Sequence, residues 1–138
     1  MDLIATCAFG LEKLVYDEIK KLGLWVIKKD DGRVFFQGDE SALIRANLWL
    51  RCADRIQIKI GEFQAKTFDE LFKSISTLEW EKYIEVDDAF PVHAVSVKSA
   101  LHSEPAIQSI VKKSIVKRLQ QKKKTEILPE NSDAVHQI

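Results

Sequence analysis

Two β-prone runs, Leu24 to Ile27 and Val34 to Phe36, are separated by KKDDGR, and a helix-period pattern lies on either side of the pair. Asp31 and Gly32 are residues that a tight turn with positive φ favours, so the two runs fold back on each other as a hairpin. A hairpin held between two helices leaves few arrangements open. Before it, Leu3 to Thr6 is a short apolar run suited to a buried strand, and Leu11, Leu14, Val15, Ile19 and Leu22 recur at helical spacing until Gly23 ends them. After it, Asp39 caps a second helix through Leu48 that buries Ala42, Leu43, Ala46 and Leu50. Ile56, Ile58 and Ile60 then alternate with Gln57 and Lys59 as a half-exposed strand.

The resulting order, β-α-β-β-α-β within residues 1–62, is the ferredoxin-like arrangement: an antiparallel sheet with two helices on one face. Residues 63–138 start a second α/β unit, so the chain reads as α+β with two domains. Thr67 with Glu70 forms a capping-box pattern before Phe68, Leu71, Phe72 and Ile75, and Trp80 to Ile84 adds a short helical turn. Phe90 to Val97 reads as a buried strand with Pro91 near its start, where a missing N–H is tolerated. A loop from Lys98 to Glu104 leads to a long helix over Pro105 to Gln121, and Ala134 to Ile138 opens a further strand. No turn, cap or polar tail follows that strand, the pattern expected of a piece of a longer chain.

Formal net charge is zero, but it is unevenly spread. Residues 1–97 carry 13 Lys/Arg and 17 Asp/Glu, residues 98–124 carry 8 and 1, and residues 125–138 carry none and 3. One segment is therefore strongly basic, and a local block of this kind calls for an electrostatic partner. Within the helix, Ile107, Ile110, Val111, Ile115 and Leu119 form an apolar stripe expected to pack on a sheet. Lys113, Lys117 and Gln120 share one exposed flank, Lys112 lies on the other, and Arg118 stands near the apolar arc and would snorkel outward. Lys122, Lys123 and Lys124 extend the charge beyond the helix. Ser99, His102 and Ser103 precede a helix opened by Pro105, where unpaired N–H groups and the positive dipole end suit a phosphate. Two readings stand side by side for this segment: a solvated lysine face with turn-forming loop residues, and a binding surface for a nucleic-acid backbone.

Other chemistries find little support. The five glycines form no GxG pair, so neither a methyltransferase nor a dehydrogenase cofactor loop is present. The first loop, CAFGLEK, has no arginine to hold a phosphate, and Asn47 with Arg51 fits an ordinary helix surface. Cys7 and Cys52 with His93, His102 and His136 show no metal-ligand spacing, and two thiols read as small buried residues rather than a disulfide. No apolar run reaches the length of a membrane helix and no secretory signal opens the chain, which points to a cytoplasmic protein without a membrane partner. The aromatic residues Trp25, Phe35, Phe36, Trp49, Trp80 and Tyr83 are expected in cores, which leaves backbone and end-shape recognition ahead of base stacking.

The stretches ATCAFGLEKLVYDEIKKLG, GRVFFQG, ANLWLRCADRI, TFDELF and VKSALHSEPAIQSIVKKSIVKRL together resemble the N-terminal part of bacterial THUMP-containing RNA methyltransferases that act on guanine N2 of large-subunit ribosomal RNA. The resemblance implies a ferredoxin-like domain over 1–62 followed by a THUMP core over 63–138. The THUMP similarity reaches back to near residue 44 and is expected to run on past 138. It also implies an S-adenosylmethionine-dependent methyltransferase domain further along, to which nothing in this chain corresponds, so the chain itself is expected to be catalytically inert and cofactor-free. RNA is the implied partner, ribosomal RNA before tRNA. The contacts map onto Lys98, Ser99, His102, Ser103, Gln108, Lys112, Lys113, Lys117 and Arg118, with Lys122, Lys123 and Lys124 continuing the charge. A tRNA-modifying relative and a protein-interaction or ligand-sensing ferredoxin-like domain are the rival readings.

Overall fold

A computed structural model describes residues 1–85 and 88–123. The chain divides into two compact units, residues 1–62 and 63–138.

In the first unit the strands β1 (Asp2–Thr6), β2 (Trp25–Asp30), β3 (Arg33–Gln37) and β4 (Arg55–Ile58) form one sheet in the order β2-β3-β1-β4. Every neighbouring pair is antiparallel, with Leu3 facing Phe36 on one side and Ile58 on the other. Helices α1 (Glu12–Lys21) and α2 (Glu40–Trp49) cover one face. Because side chains alternate along a strand, Leu3, Ala5, Val34 and Phe36 go to the helix side and are wholly buried with Val15 and Ile19 of α1. Asp39 caps α2 as expected, its Oδ1 accepting from the Ala42 N–H at 2.8 Å. Ala42 and Ala46 are the buried face of α2. Close approach continues at Gly38, where an added Cβ would stand 2.3 Å from that of Ala42.

The hairpin turn is Asp31-Gly32, and only Gly32 takes positive φ, at 69°. Two carboxylates on α1 tie loops to this frame. Glu12 accepts from the N–H groups of Gly10 and of Gly32, the latter at 2.8 Å, and these bonds, Gly32's foremost, hold its carboxyl below the usual range. Glu18 accepts from the N–H groups of Arg51 and Cys52, both at 3.1 Å.

The second unit packs α3 (Phe68–Thr77), a 3-10 turn (Trp80–Lys82) and α4 (Glu104–Lys123) around Leu71, Ile75, Trp80, Val111, Ile115 and Leu119. Thr67 Oγ1 accepts from the Glu70 N–H, and Glu70 reaches back to the Lys66 N–H, so the cap forms one residue wider than the usual box. Trp80 donates its indole N–H to the Ile75 carbonyl at 2.8 Å, which lets a polar edge sit in this core.

Three expectations change here. Phe90 to Val97 is not a strand: a ladder needs a hydrogen-bonded neighbour, and among the described residues of this unit there is none. Phe90 and Ala89 are buried, whereas Val95 and Val97 are 82% and 75% exposed. Among the described residues the apolar stripe of α4 meets α3 and the 3-10 turn, and no sheet. The helix also runs two residues further than Gln121, taking in Lys122 and Lys123. The strand expected over Ala134 to Ile138 lies outside the described residues.

Candidate nucleic-acid interface

The basic segment resolves into a self-bonded loop and a two-sided helix. In the loop, Ser96 Oγ donates to the Leu101 carbonyl at 2.6 Å, Ser99 Oγ accepts from the Leu101 N–H at 3.3 Å, and Glu104 Oε1 accepts from the Ser96 N–H at 2.9 Å. Ser99 therefore shapes the turn, as hydroxyls commonly do. Lys98 takes φ of 48°, the one non-glycine residue with positive φ among those described, and its side chain is exposed. His102 and Ser103 are exposed. The Ser103 carbonyl accepts the first helical bond, from Ile107 at 2.9 Å, so Pro105 falls inside the first turn, where its missing donor costs nothing.

Along α4 the predicted contacts part company. Lys113 and Lys117 are exposed one turn apart, with no ion pair among the described residues. Lys117 Nζ lies 5.3 Å from the Phe72 ring centroid and Lys122 is exposed on the same helix. Gln108 is half-buried. Lys123 lies in the last turn of α4, and Lys124 is outside the described residues. Two of the expected contacts turn inward instead. Lys112 Nζ donates to the Phe90 carbonyl at 2.7 Å and sits 3.8 Å from the centre of the Phe90 ring. Arg118 does not snorkel outward: it donates to both Glu81 carboxylate oxygens, at 3.0 and 2.6 Å, and to the Ser76 carbonyl at 3.3 Å. Glu81 was missed because it lies 37 residues away in sequence, and no local pattern marks the pair.

The surface left to an anion is thus an exposed row of Lys113 and Lys117 beyond a loop presenting Lys98, His102 and Ser103, while Lys122 lies on the Arg118 side of α4, near Glu81. After Glu104, the described part of α4 contains no acidic residue. Such a row offers charge to a phosphate backbone without a base-reading geometry.

The first unit offers no phosphate cradle in its strand-to-helix loop. The Gly10 and Gly32 N–H groups, which would face an anion there, are satisfied by the Glu12 carboxylate. The loop residues thus do not fit a nucleotide cofactor. Both cysteines are free thiols, and burial, foremost, raises that of Cys7. Among the described residues no three His, Cys, Asp or Glu side chains gather as a metal site, and no helix is long and apolar enough to cross a membrane.

Comparison with known proteins agrees with this layout. The family model described as the RlmL ferredoxin-like domain matches residues 2–57, and that of the THUMP domain matches residues 65–128. YpsC of Bacillus subtilis, an RNA methyltransferase by name, is 50% identical over 117 residues, which are 85% of this chain and 30% of that protein. The ribosomal RNA large subunit methyltransferase K/L of Colwellia psychrerythraea is 36% identical over 114 residues, 82% of this chain and 16% of its own length. Among solved structures, SMU.472, described as a methyltransferase in complex with SAH, is 45% identical and superposes with a TM-score of 0.89 over 99% of this chain and 38% of that one. The chain spans less than a third of the length of the first two relatives.

Proposed function

We propose, from the premise that this chain belongs to the ferredoxin-like plus THUMP region of the RNA methyltransferase family, that it is an RNA-binding module whose contact surface is the exposed flank of α4. The observation that carries this reading is the row Lys113 and Lys117, one turn apart, which projects from a folded helix with no ion-pair partner among the described residues, inside the THUMP match. Lysines so placed bind phosphates by releasing counterions, and the loop residues Lys98, His102 and Ser103 add donors beside the helix start. Arg118 and Lys112 support this surface from within and do not touch the RNA.

In the whole protein the module positions large-subunit ribosomal RNA for guanine-N2 methylation from S-adenosylmethionine, with cofactor and chemistry held outside the residues described here. The names of the K/L relative and the SAH-bound structure support that assignment. The test is salt-dependent binding of the 138-residue chain to a ribosomal RNA hairpin, with tRNA as the comparison ligand. Charge reversal by K113E/K117E should weaken binding and flatten the dependence of log K on log salt by about one unit per lost contact. Unchanged affinity in that variant removes the α4 surface, and tighter binding of tRNA replaces ribosomal RNA with tRNA as the substrate class.

A further inference from the structure

The sheet of the first unit has helices on one face only. On the other, the pleat places Ile4, Arg33, Phe35 and Gln57, with Phe35 on β3, one of the two central strands, directly opposite Ile4 of β1. Phe35 is half-buried, so an apolar ring lies at the middle of this face beside Ile4, with Arg33 and Gln57 next to them. Lys28, its partner on β2, holds its Nζ 4.6 Å from the ring centroid, and Lys59 Nζ lies 6.0 Å away. The register also sets Trp25, 67% exposed, opposite Gln37 at the sheet's edge.

We propose that this face is a second RNA surface, on which Phe35 stacks a base of a single-stranded segment while Lys28 and Arg33 hold the adjoining phosphates. Of the nearby acids Glu62 pairs with Lys59, while Asp2 accepts from Gln37 at 3.1 Å and Asp30 from the Asp31 N–H at 3.0 Å. Lys28 and Arg33 make no ion pair among the described residues. An ammonium over an aromatic face is exchangeable, and a stacked base sends Lys28 to a phosphate at little cost, since its present attraction to the ring at an exposed site is weak. Ile4 and Phe35, bordered by Arg33, Lys28 and Gln57, make an apolar centre with a basic rim, and four-stranded sheets with central aromatics hold unpaired bases by stacking. The choice of RNA as the nucleic acid rests on the reading of α4; the geometry of the face does not.

The test measures binding of the whole chain to a fluorescein-labelled, unstructured oligouridylate at low salt, beside the ribosomal RNA hairpin. Loss of the π face in F35L should weaken oligouridylate binding about tenfold, with F35Y near the parent value, because stacking is lost in one and retained in the other. K28A/R33A should weaken it too and lower its salt dependence. F35L keeps the apolar contact, so an unchanged melting temperature shows that the loss is not unfolding. K113E/K117E should weaken the hairpin and lower the salt-dependent part of oligouridylate binding, but F35L added to K113E/K117E should still weaken oligouridylate binding about tenfold, which separates this proposal from the α4 reading. The proposal is overturned if F35L binds oligouridylate like the parent, if no binding is seen at low salt, or if K113E/K117E abolishes it.

Discussion

Arg118 of α4 and Glu81 of the 3-10 turn are joined by two parallel hydrogen bonds, with side chains only 17% and 22% exposed. A planar guanidinium meeting a carboxylate in this way fixes the angle at which α4 crosses the turn, and the Ser76 carbonyl takes a third bond at the end of α3. Removing one partner leaves the other sparsely solvated. R118A should lower the melting temperature, and R118K should recover only part of the loss because an ammonium cannot reproduce the fork. Thermal or urea unfolding followed by circular dichroism checks both; a melting temperature unchanged in R118A refutes the assignment.

The same pair gives the second unit an acid-sensitive contact. The Arg118 hydrogen bonds, foremost, hold the Glu81 carboxyl down to about 2 from an ordinary 4.5. A depressed folded pKa means that the unfolded chain takes up the proton first. The stabilisation is therefore complete above about pH 4.5, shrinks as pH falls from there, and is gone below about 2. E81Q should be less stable at neutral pH and should flatten the fall in melting temperature between those two values. A parent and variant with parallel profiles would contradict it.

Neighbouring lysines of α4 should behave in opposite ways. Lys112 is bonded to Phe90 and stacked on its ring, so K112A should lower stability by about 1 to 2 kcal/mol. Lys113 is exposed, so K113A should leave the melting temperature unchanged and act on the salt slope of RNA binding alone. The pair of measurements on each variant distinguishes a packing lysine from a contacting one.

Gly38 should not tolerate a side chain. Its Cβ would meet that of Ala42 at 2.3 Å, in the first turn of α2, and neither backbone can withdraw without lifting the helix from the sheet. G38A should cost about 2 kcal/mol or more by overpacking, and A42G in the same chain should restore part of it. Urea midpoints of the single and double variants test the contact; additive losses in the double variant would count against it.

The sequence by itself determined the first unit almost completely. Its signals are local: the period-2 runs, the helical spacing of Val15 and Ile19, the Asp39 cap and the Gly32 turn each need only a few neighbouring residues, and together they admit one sheet. Even the outward position of Phe35 was legible, since Phe35 and Phe36 are adjacent and a sheet with helices on one face can bury only one of them. A default assignment of aromatics to the core hid that, along with the exposure of Trp25 and Trp49, 67% and 65%. The tertiary structure decided what depends on distant partners. Phe90 to Val97 has strand composition but no strand beside it among the described residues, because a ladder is a property of two segments. Arg118 and Lys113 are both cations on one helix, yet Glu81 turns the first inward and no acid among the described residues pairs with the second. Composition gathers the charge; packing sorts the charges that hold the unit together from those left for a polyanion.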